Sequence, residues 1–461
     1  MATRLPNTAL ADALASIGWS PTDLARAINK ALPANRCIHP TTPFTWRDKG
    51  VVPTGSLPSL VAGVLTEALG QVVTEEDLWP NRRGRKQVHR PSVDGLEIPW
   101  SSRETLALLE KFPAHGPGTV RRFFALSGPD LVNAAARYTN QLPELLPSRD
   151  GDAGTVTTEL VDYLARDAGS LRRLDDGHGG ALVQRAASHQ LSLTLDLLAT
   201  SSYSARDGRA LATVVAQLAQ LAGWLHFDLD DHGQAQRCYL IALRAAGLAG
   251  DHTLAAMILS CLAAQQSWRN RPRDAVKLLG IAATALPAGA SPRVKAILAM
   301  REARAHAMTG DQSAATRAIG QAERELGRAN GSEPTPVWAY WLNPAVLAGE
   351  TGRTLVELGQ LPQAVDQLDC GIGMLECGAS RDRVLYGLSL AKAHATGTAS
   401  TPGDLERACY AAVTVLPQLK SVSSARCRNL LTDLVNELPE PRNRAVRDLR
   451  EQAEGVLAGK V

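Results

Sequence analysis

Apolar side chains near the start of the chain recur every three or four positions, the spacing that places them on one face of an α-helix. The positions concerned are Leu10, Leu14, Ile17, Leu24, Ile28 and Leu32. They predict helices over residues 8–17 and 21–32, ended by Gly18 and Pro33. The stretch Ser20-Pro21-Thr22-Asp23 is a start signal for the second helix, because a serine followed three positions later by an acidic residue can form a capping box.

The next stretch, TTPFTWRDKGVVP at residues 41–53, predicts a short third helix. Thr42 is expected to cap its start, with a proline following at the first helical position, and Gly50 is expected to end it. A fourth helix is predicted over residues 56–69, where leucine and valine recur with helical spacing. A last short turn is predicted over residues 74–78. The first 80 residues therefore predict a compact bundle of short helices.

A repeated pattern of small and large residues dominates the chain from residue 221 onward. A small residue is followed by alanine twelve positions later, by a large residue after four more, and by a second small residue after another three. The four sets are Gly223, Ala235, Tyr239 and Ala242; Ala263, Ala275, Leu279 and Ala282; Ala303, Ala315, Ile319 and Ala322; and Gly352, Ala364, Leu368 and Gly371. A weaker fifth set keeps Leu405, Cys409 and Ala412. Small residues let two helices approach closely, and the large residue fills the groove between repeats.

The spacing between these sets predicts how the repeats are built. The alanines at 235, 275, 315 and 364 are 40, 40 and 49 residues apart. Each set contains a polar turn sequence before its second helix: DDHGQ, RNRPR, TGDQS and LGQLP. The pattern is typical of helical hairpins stacked in series, with loops or helices longer than those of the 34-residue tetratricopeptide repeat.

Composition agrees with a helical protein. Apolar residues make up 45% of the 461 residues and aromatic residues only 4%. Alanine and leucine are abundant and β-branched runs are few, which favours helices over sheets. No continuous apolar span is long enough for a membrane helix, and the start of the chain lacks the pattern of a signal peptide. Seven scattered cysteines without a CxxC pair indicate a reduced, cytoplasmic protein.

Positive charge is concentrated in one short segment. Residues 1–80 carry six Lys/Arg and seven Asp/Glu, whereas residues 81–90, NRRGRKQVHR, carry five Lys/Arg and no acidic residue. The basic side chains proposed to contact DNA here are Arg82, Arg83, Arg85 and Lys86. A flexible basic arm beside a compact domain can bind phosphates or the minor groove of DNA. The alternative is a solvated linker.

The first 80 residues resemble a Xre/Cro-type helix-turn-helix domain. The resemblance lies in Trp46, Lys49-Gly50, Pro53, Leu60, Val64, Leu69-Gly70 and Leu78. It implies that the third helix lies in the major groove and that residues near its start reach base edges. The base-reading residues would be Thr41, Thr42, Phe44 and Thr45. Arg47 and Lys49 would lie nearer the phosphates.

The chain departs from this family in one respect. Nine residues separate Leu32 from Thr42, whereas the family's turn has about four. Residues 41–46 also contain no Arg, Gln or Asn, the side chains that most often read bases. The alternative is therefore a head that only dimerises or docks on another protein.

Candidate sites outside the head are few. The segment EPTPVWAYWLNPA concentrates aromatic residues in an aromatic-poor chain, so a ligand or partner could bind at Trp338, Tyr340, Trp341 and Asn343. The alternative is that these rings pack a longer repeat. The acidic stretch FDLDDH at residues 227–232 is interpreted as a polar turn between helices, not a metal site. No nucleotide-binding, hydrolase or metalloprotease motif occurs, so no catalytic residue, metal or cofactor is expected.

The predicted fold class is all-α, a small helix-turn-helix head followed by a tetratricopeptide-like α-solenoid. The predicted domains are the head at 1–80, a basic linker at 81–100, a helical connector at 101–200 and the solenoid at 201–461. This organisation resembles actinobacterial helix-turn-helix/tetratricopeptide regulators of sporulation and antibiotic production.

The resemblance implies a cytoplasmic, homodimeric transcriptional regulator that binds double-stranded DNA and is not an enzyme. Its solenoid would bind a peptide, small-molecule or protein effector, and no membrane would be involved. The alternative function is a protein-interaction adaptor whose head does not bind DNA.

Overall fold

The structure, a computed structural model, has helices as its only regular secondary structure over the part of the chain that it describes. Those residues are 6–32, 37–54, 57–69, 73, 75–79, 99–112, 125–141, 144–178, 180–329, 335–376, 380–397, 403–439 and 443–458. Within these ranges no strand is formed, and only two isolated β-bridges occur, Arg149 with Tyr203 and Thr155 with Ser202. The predicted all-α class is confirmed.

The chain divides into two compact units. The first comprises residues 1–97, 120–134 and 232–237. The second comprises residues 98–119, 135–231 and 238–461. Residues 120–134 and 232–237 belong to the first unit although the sequence around them belongs to the second. Neither unit is therefore a single continuous stretch of sequence.

The first unit begins with five short helices. They are α1 (Thr8–Ser16), α2 (Pro21–Ala31), α3 (Thr42–Asp48), α4 (Leu57–Leu69) and α5 (Glu75–Leu78). The predicted capping box is present at the start of α2. The Ser20 backbone N–H donates to the Asp23 carboxylate at 2.9 Å, and the Asp23 N–H donates to the Ser20 hydroxyl at 3.2 Å. Gly18 and Gly50 adopt positive φ values of 66° and 57° just beyond α1 and α3, where a residue with a Cβ would be strained.

A single apolar core holds these helices together. It includes Leu10, Leu14, Leu24, Ile28, Trp46, Val61, Val64, Leu65 and Leu78. The indole of Trp46 is only 3% exposed, so α3 is attached to the core by its central residue. Asn7 adds a polar tie, because its backbone N–H donates to the Arg47 carbonyl and its side chain donates to the Leu78 carbonyl, each at 2.8 Å.

The expected cap at Thr42 is wrong. Thr41 is the N-cap residue of α3, and Thr42 is the first residue of the helix. The Thr41 hydroxyl makes no cap hydrogen bond, because it lies 2.8 Å from Nδ1 of His39. This local bond within the preceding loop replaces the capping bond that the Thr-Pro sequence suggested.

The rest of the chain forms longer helices. They are α6 (Ser102–Lys111), α7 (Gly128–Asn140), α8 (Thr158–His178), α9 (Gly180–Thr200), α10 (Ala205–Asp228), α11 (His232–Ala249), α12 (His252–Trp268), α13 (Pro272–Ala285), α14 (Pro292–Thr309), α15 (Gln312–Arg328), α16 (Pro344–Glu357), α17 (Leu361–Met374), α18 (Ser380–Ala395), α19 (Leu405–Ser421), α20 (Ala425–Glu437) and α21 (Arg444–Ala458). A 3₁₀ helix at Val337–Ala339 precedes α16.

The four predicted turns each separate two consecutive helices, and each contains one residue in the left-handed conformation. These residues are Asp230, Asn270, Gly310 and Gly359, with φ values of 66°, 58°, 81° and 70°. They are 40, 40 and 49 positions apart in the sequence, the same intervals as the alanines of the repeat pattern. The series of helix–turn–helix units predicted from the sequence is therefore present.

Successive hairpins stack in the second unit. The first helices of consecutive pairs contact each other in order, α12 with α14, α14 with α16, α16 with α18 and α18 with α20. The second helix of each pair also contacts the first helix of the next, as α13 does with α14 and α17 with α18. Helix α8 contacts α18, which joins two parts of this unit that are far apart in sequence.

Small residues lie where the pattern places them. Ala275, Ala315 and Ala364 are fully buried. A Cβ added to Gly352 would lie 2.5 Å from Cγ of Leu368, and one added to Gly371 would lie 2.7 Å from a backbone nitrogen of α16. Helices α16 and α17 therefore approach so closely that glycine is required at both contacts.

One described helix, Ala205–Asp228, is long and apolar enough to cross a membrane. However, 72% of its most apolar window is buried inside the protein. Its apolar side chains are accounted for by packing against the rest of the second unit, as expected for a core helix.

The glycine contact predicts opposite effects for two glycine-to-alanine substitutions. Gly352→Ala should lower the free energy of unfolding by about 1–3 kcal/mol, because the new methyl group must displace Leu368 or the backbone of α17. Gly280→Ala in α13 is the matched control, since nothing lies within 4 Å of its added Cβ. It should raise the free energy of unfolding by up to about 1 kcal/mol through helix propensity. Urea denaturation followed by circular dichroism measures both, and equal effects would contradict the close packing.

Candidate functional site

The residues predicted to read bases lie at the start of α3. Thr41 is exposed, and Thr42, Phe44 and Thr45 are half-buried. The hydroxyl of Thr45 donates to the Thr42 carbonyl at 2.7 Å, so it is engaged within its own helix. The methyl group of Thr45 and the ring of Phe44 are therefore the groups these two residues could offer to a base.

The two predicted phosphate-binding residues lie at the end of α3. Lys49 is exposed. Nε of Arg47 is 2.6 Å from a carboxylate oxygen of Asp48, and its guanidinium carbon lies 5.2 Å from the centre of the Phe44 ring. Because this ion pair is on the surface, a phosphate could replace Asp48 at small cost. Asp48 and Phe44 both contact the Arg47 guanidinium.

The long connection before α3 is anchored to α2. The Asn29 side chain donates to the Ile38 carbonyl at 2.9 Å and accepts from the Ile38 N–H at 2.7 Å. This pair of bonds imitates the pairing of two backbones and fixes the loop just before α3. Helices α2 and α3 also contact each other directly. The extra residues in the connection therefore leave α3 docked on α2.

The predicted basic arm, comprising Arg82, Arg83, Arg85 and Lys86, lies outside the described residues. Its role in binding DNA stays a prediction from the sequence.

The aromatic segment before α16 is divided among different roles. Trp338 is buried, and the Asn343 side chain caps α16 by accepting from the Val346 N–H at 3.0 Å. The Tyr340 hydroxyl donates to the carboxylate of Asp176. The four residues predicted to bind a ligand therefore do not form one exposed surface.

A cluster of buried charges is centred on Asp228, at the end of α10, which is only 2% exposed. Its carboxylate lies 2.7 Å from the Arg426 guanidinium and 3.2 Å from Arg381, and it accepts from the Ser424 hydroxyl at 2.8 Å. Arg381 also pairs with Asp175 at 2.9 Å. These ion pairs join α8, α10, α18 and α20 inside the second unit.

The interpretation of FDLDDH as a polar turn is wrong for its first aspartate. Asp228 is the last residue of α10 and is buried, whereas Asp230 adopts the left-handed turn conformation. The sequence around residue 228 did not indicate that Asp228 is buried, because the arginines that pair with it are 153 and 198 positions away. In the described part of the chain, no group of three or more His, Cys, Asp or Glu side chains is placed to hold a metal ion.

Nearby arginines keep the buried acids charged. Burial alone would raise the pKa of Asp228, but Arg426 and Arg381 outweigh it and lower the pKa below its usual value. Burial likewise opposes ionisation of Glu350 in α16, yet three arginines led by Arg353 bring its pKa down to about 2. Both carboxylates are therefore ionised at neutral pH and bound to guanidinium groups.

A cavity of about 20 Å³ lies beside this network. Its polar lining comes chiefly from four arginines and one glutamate of the first helices of the hairpins: Arg301, Arg304, Arg353, Arg426 and Glu350. Trp268 and Phe227 form apolar walls. These side chains are suited to bind a negatively charged group, because the N–H groups of a guanidinium can donate paired hydrogen bonds to a carboxylate or a phosphate.

Aromatic rings position the arginines of this cavity. The Arg426 guanidinium carbon lies 4.6 Å from the ring centre of Phe227 and 4.8 Å from that of Trp224. Arg301 lies 5.6 Å from the ring centres of both Trp224 and Trp341. Of the predicted ligand-binding residues, Trp341 is therefore the one that contacts a cavity arginine.

The positions of these arginines relative to the turns of the repeats follow a pattern that the sequence contains. Arg304 and Arg353 each lie six residues before the left-handed residue of their turn, and Arg301 and Glu350 each lie nine residues before it. Charged residues thus recur at equivalent positions of adjacent first helices. Aligning the repeats on their turns, instead of on their small residues, could have found them.

The buried network predicts a large cost for removing its central cation. Arg381→Met should lower the free energy of unfolding by about 3–5 kcal/mol at pH 7, since Asp175 and Asp228 would be left buried without it. Arg444→Met is the control, because Arg444 is 88% exposed in a surface pair and should change stability by less than about 1 kcal/mol. Urea denaturation measures both, and a loss below about 1 kcal/mol for Arg381→Met would contradict a stabilising network.

Because of Asp382, next to Arg381 in α18, we expect the free energy of unfolding to depend on pH. Burial raises the pKa of its carboxyl to about 6, above the ordinary value of 3.8, with Arg381 opposing and Glu350 adding to the rise. Folding therefore favours the protonated acid, so the stabilisation is complete below about pH 4 and is lost as pH rises through 6. Over that window the group should lower the free energy of unfolding by about 3 kcal/mol.

Asp382→Asn should remove this contribution, so the variant should gain stability relative to the native protein between pH 4.5 and 7.5. Denaturation at four pH values in that range measures the gain. The exposed Asp162→Asn serves as the control and should have a small effect throughout. A stability difference between Asp382→Asn and the native protein that does not grow with pH would show that folding does not raise the pKa of Asp382.

Comparisons with known proteins provide no family for this chain. No protein-family model matches the sequence, and no curated protein matches it either. The function must therefore be argued from the two sites themselves.

Proposed function

We propose that the chain is a DNA-binding transcriptional regulator, with DNA bound by α2 and α3 and an effector bound by the second unit. The observation that carries the proposal is the way α3 is held. Trp46 anchors it in the core, and Asn29 fixes the loop before it, while Thr41 and Lys49 stay exposed. A short rigid helix with a free outer face is what a major-groove reader requires.

The charges near α3 support a role in binding phosphates. Lys49 is exposed, and the surface pair of Arg47 with Asp48 can be exchanged for a DNA phosphate. The basic run at residues 81–90 follows directly in the sequence and would add contacts along the backbone. Because one short helix provides little specificity, we expect a homodimer that binds a two-fold symmetric DNA sequence.

The overall organisation supports the same role. Short N-terminal helices followed by a series of stacked hairpins resemble the helix-turn-helix/tetratricopeptide regulators of actinobacteria. In such a regulator an effector acts by binding two conformations of the protein with different affinity. The proposal places the protein in the cytoplasm, where chromosomal DNA is accessible.

Capture and sequencing of genomic DNA fragments on the full-length protein at about 150 mM salt tests this proposal. We expect recovery of a common, palindromic sequence. A double variant, Arg47→Ala with Lys49→Ala, should bind that sequence more weakly and reduce the slope of log affinity against log salt by about two. Arg407→Ala with Lys420→Ala removes the same charge from exposed positions of the second unit and is the matched control.

Weak capture without a common sequence, lost steeply as salt increases, would contradict the proposal. It would indicate that only the basic run contacts DNA, and that the chain is instead a protein-interaction adaptor.

A further inference from the structure

We propose that the second unit binds an oxyanion, a carboxylate or phosphate group of its ligand, in the cavity bounded by Arg301, Arg304 and Arg353. The inference specifies the chemistry of the effector and in that respect rests on the proposed function. The binding itself can be measured without DNA.

Three hydrogen-bond donors around the cavity lack an acceptor. Nε of Arg301, Nη1 of Arg304 and Nε of Arg353 are all buried, and none has a hydrogen-bond partner among the described residues. A buried polar group without a partner costs roughly 1–3 kcal/mol, and more when the group is charged. Three such donors on one small cavity are explained together if an acceptor binds there.

The charges around the cavity are not balanced. Arg353 pairs with Glu350 at 2.8 Å, and Arg304 pairs with Glu357 at 3.1 Å. Arg426 is neutralised by Asp228. Arg301, by contrast, has no carboxylate within ion-pairing distance in the described part of the second unit, so one positive charge remains for a ligand to neutralise.

Burial works against the charge of Arg304. It is the largest of the causes that lower the pKa of this guanidinium to about 10, with Arg353 and Arg301 also lowering it and Glu357 and Glu350 opposing. The group stays protonated at neutral pH, and a bound anion would stabilise its charged form.

Ring contacts keep Arg301 ready for a ligand. The guanidinium lies close to the faces of Trp224 and Trp341, which stabilise its charge without accepting its in-plane hydrogen bonds. Arg353 is held similarly near Trp268, at 5.9 Å from the ring centre. A site whose donors are already oriented loses little entropy when the anion binds.

The size of the cavity limits what enters it. A volume of about 20 Å³ for water-sized groups suits one oxygen-sized group. The oxygen end of a carboxylate or phosphoryl group therefore fits, while the remainder of the ligand lies outside or displaces side chains. A water molecule could accept some of the hydrogen bonds, but only an anion also neutralises Arg301.

Thermal unfolding of the full-length protein tests the inference with two probes, inorganic phosphate and acetate, at constant ionic strength adjusted with sodium chloride. We expect at least one probe to raise the melting temperature by about 2 °C or more at saturation. A shift with acetate would identify a carboxylate site, and a shift with phosphate alone would identify a phosphoryl site. No shift with either probe would overturn the inference.

Substitution then locates the site. Arg301→Gln should weaken binding of the active probe about tenfold or more, since a charged hydrogen bond is lost. Arg317→Gln in α15, an exposed arginine outside the cavity, should bind as the native protein does. Native affinity in Arg301→Gln would overturn the inference.

Circular dichroism shows whether Arg301→Gln folds. If it does not, Arg301→Lys decides, because it keeps the charge but loses the planar guanidinium. Weaker binding of the probe by this variant supports the site, and native affinity overturns it.

The outcome is separable from that of the proposed function. Probe binding that depends on Arg301, in a protein that captures no common DNA sequence, would support the anion site while the regulator proposal fails. Specific DNA capture by a protein that binds neither probe would overturn the anion site alone.

Discussion

The second unit depends on the carboxylate of Asp228. It is buried at the end of α10 and pairs with Arg381 and Arg426, which belong to helices 153 and 198 residues further along the chain. Removing charges from water costs several kcal/mol per ion, which only well-formed pairs and hydrogen bonds recover. The network is therefore stable only when α8, α10, α18 and α20 meet in this one arrangement.

Apolar packing between adjacent hairpins does not by itself determine which distant helices meet. Contacts between hairpins use small residues, such as the glycines where α16 meets α17, and these set how closely neighbouring helices approach. They act only between adjacent repeats, so small differences accumulate along the array. Ion pairs between distant helices correct for this. Arg426 belongs both to the ion pairs of Asp228 and to the lining of the cavity, so a ligand bound there would lie beside this network.

The N-terminal helices are held by a different kind of interaction. Trp46 belongs to a small apolar core, Asn7 donates to the Arg47 carbonyl in the last turn of α3, and Asn29 fixes the loop before α3. These contacts hold α3 in place although it has only seven residues. In the proposed regulator, rigidity of α3 provides the geometry for DNA binding, and the basic run provides most of the electrostatic attraction.

The sequence alone determined the features that depend on neighbouring residues. The capping box at Ser20, the helical turns and the 40-, 40- and 49-residue intervals follow from hydrogen bonds and periodicity within a few positions, which a sequence states directly. Only the tertiary structure decided the partners of Asp228 and the grouping of the cavity arginines around one small space. These depend on how stacked hairpins bring side chains from separate helices together. Such contacts arise from packing angles summed over many residues, and no local pattern encodes them.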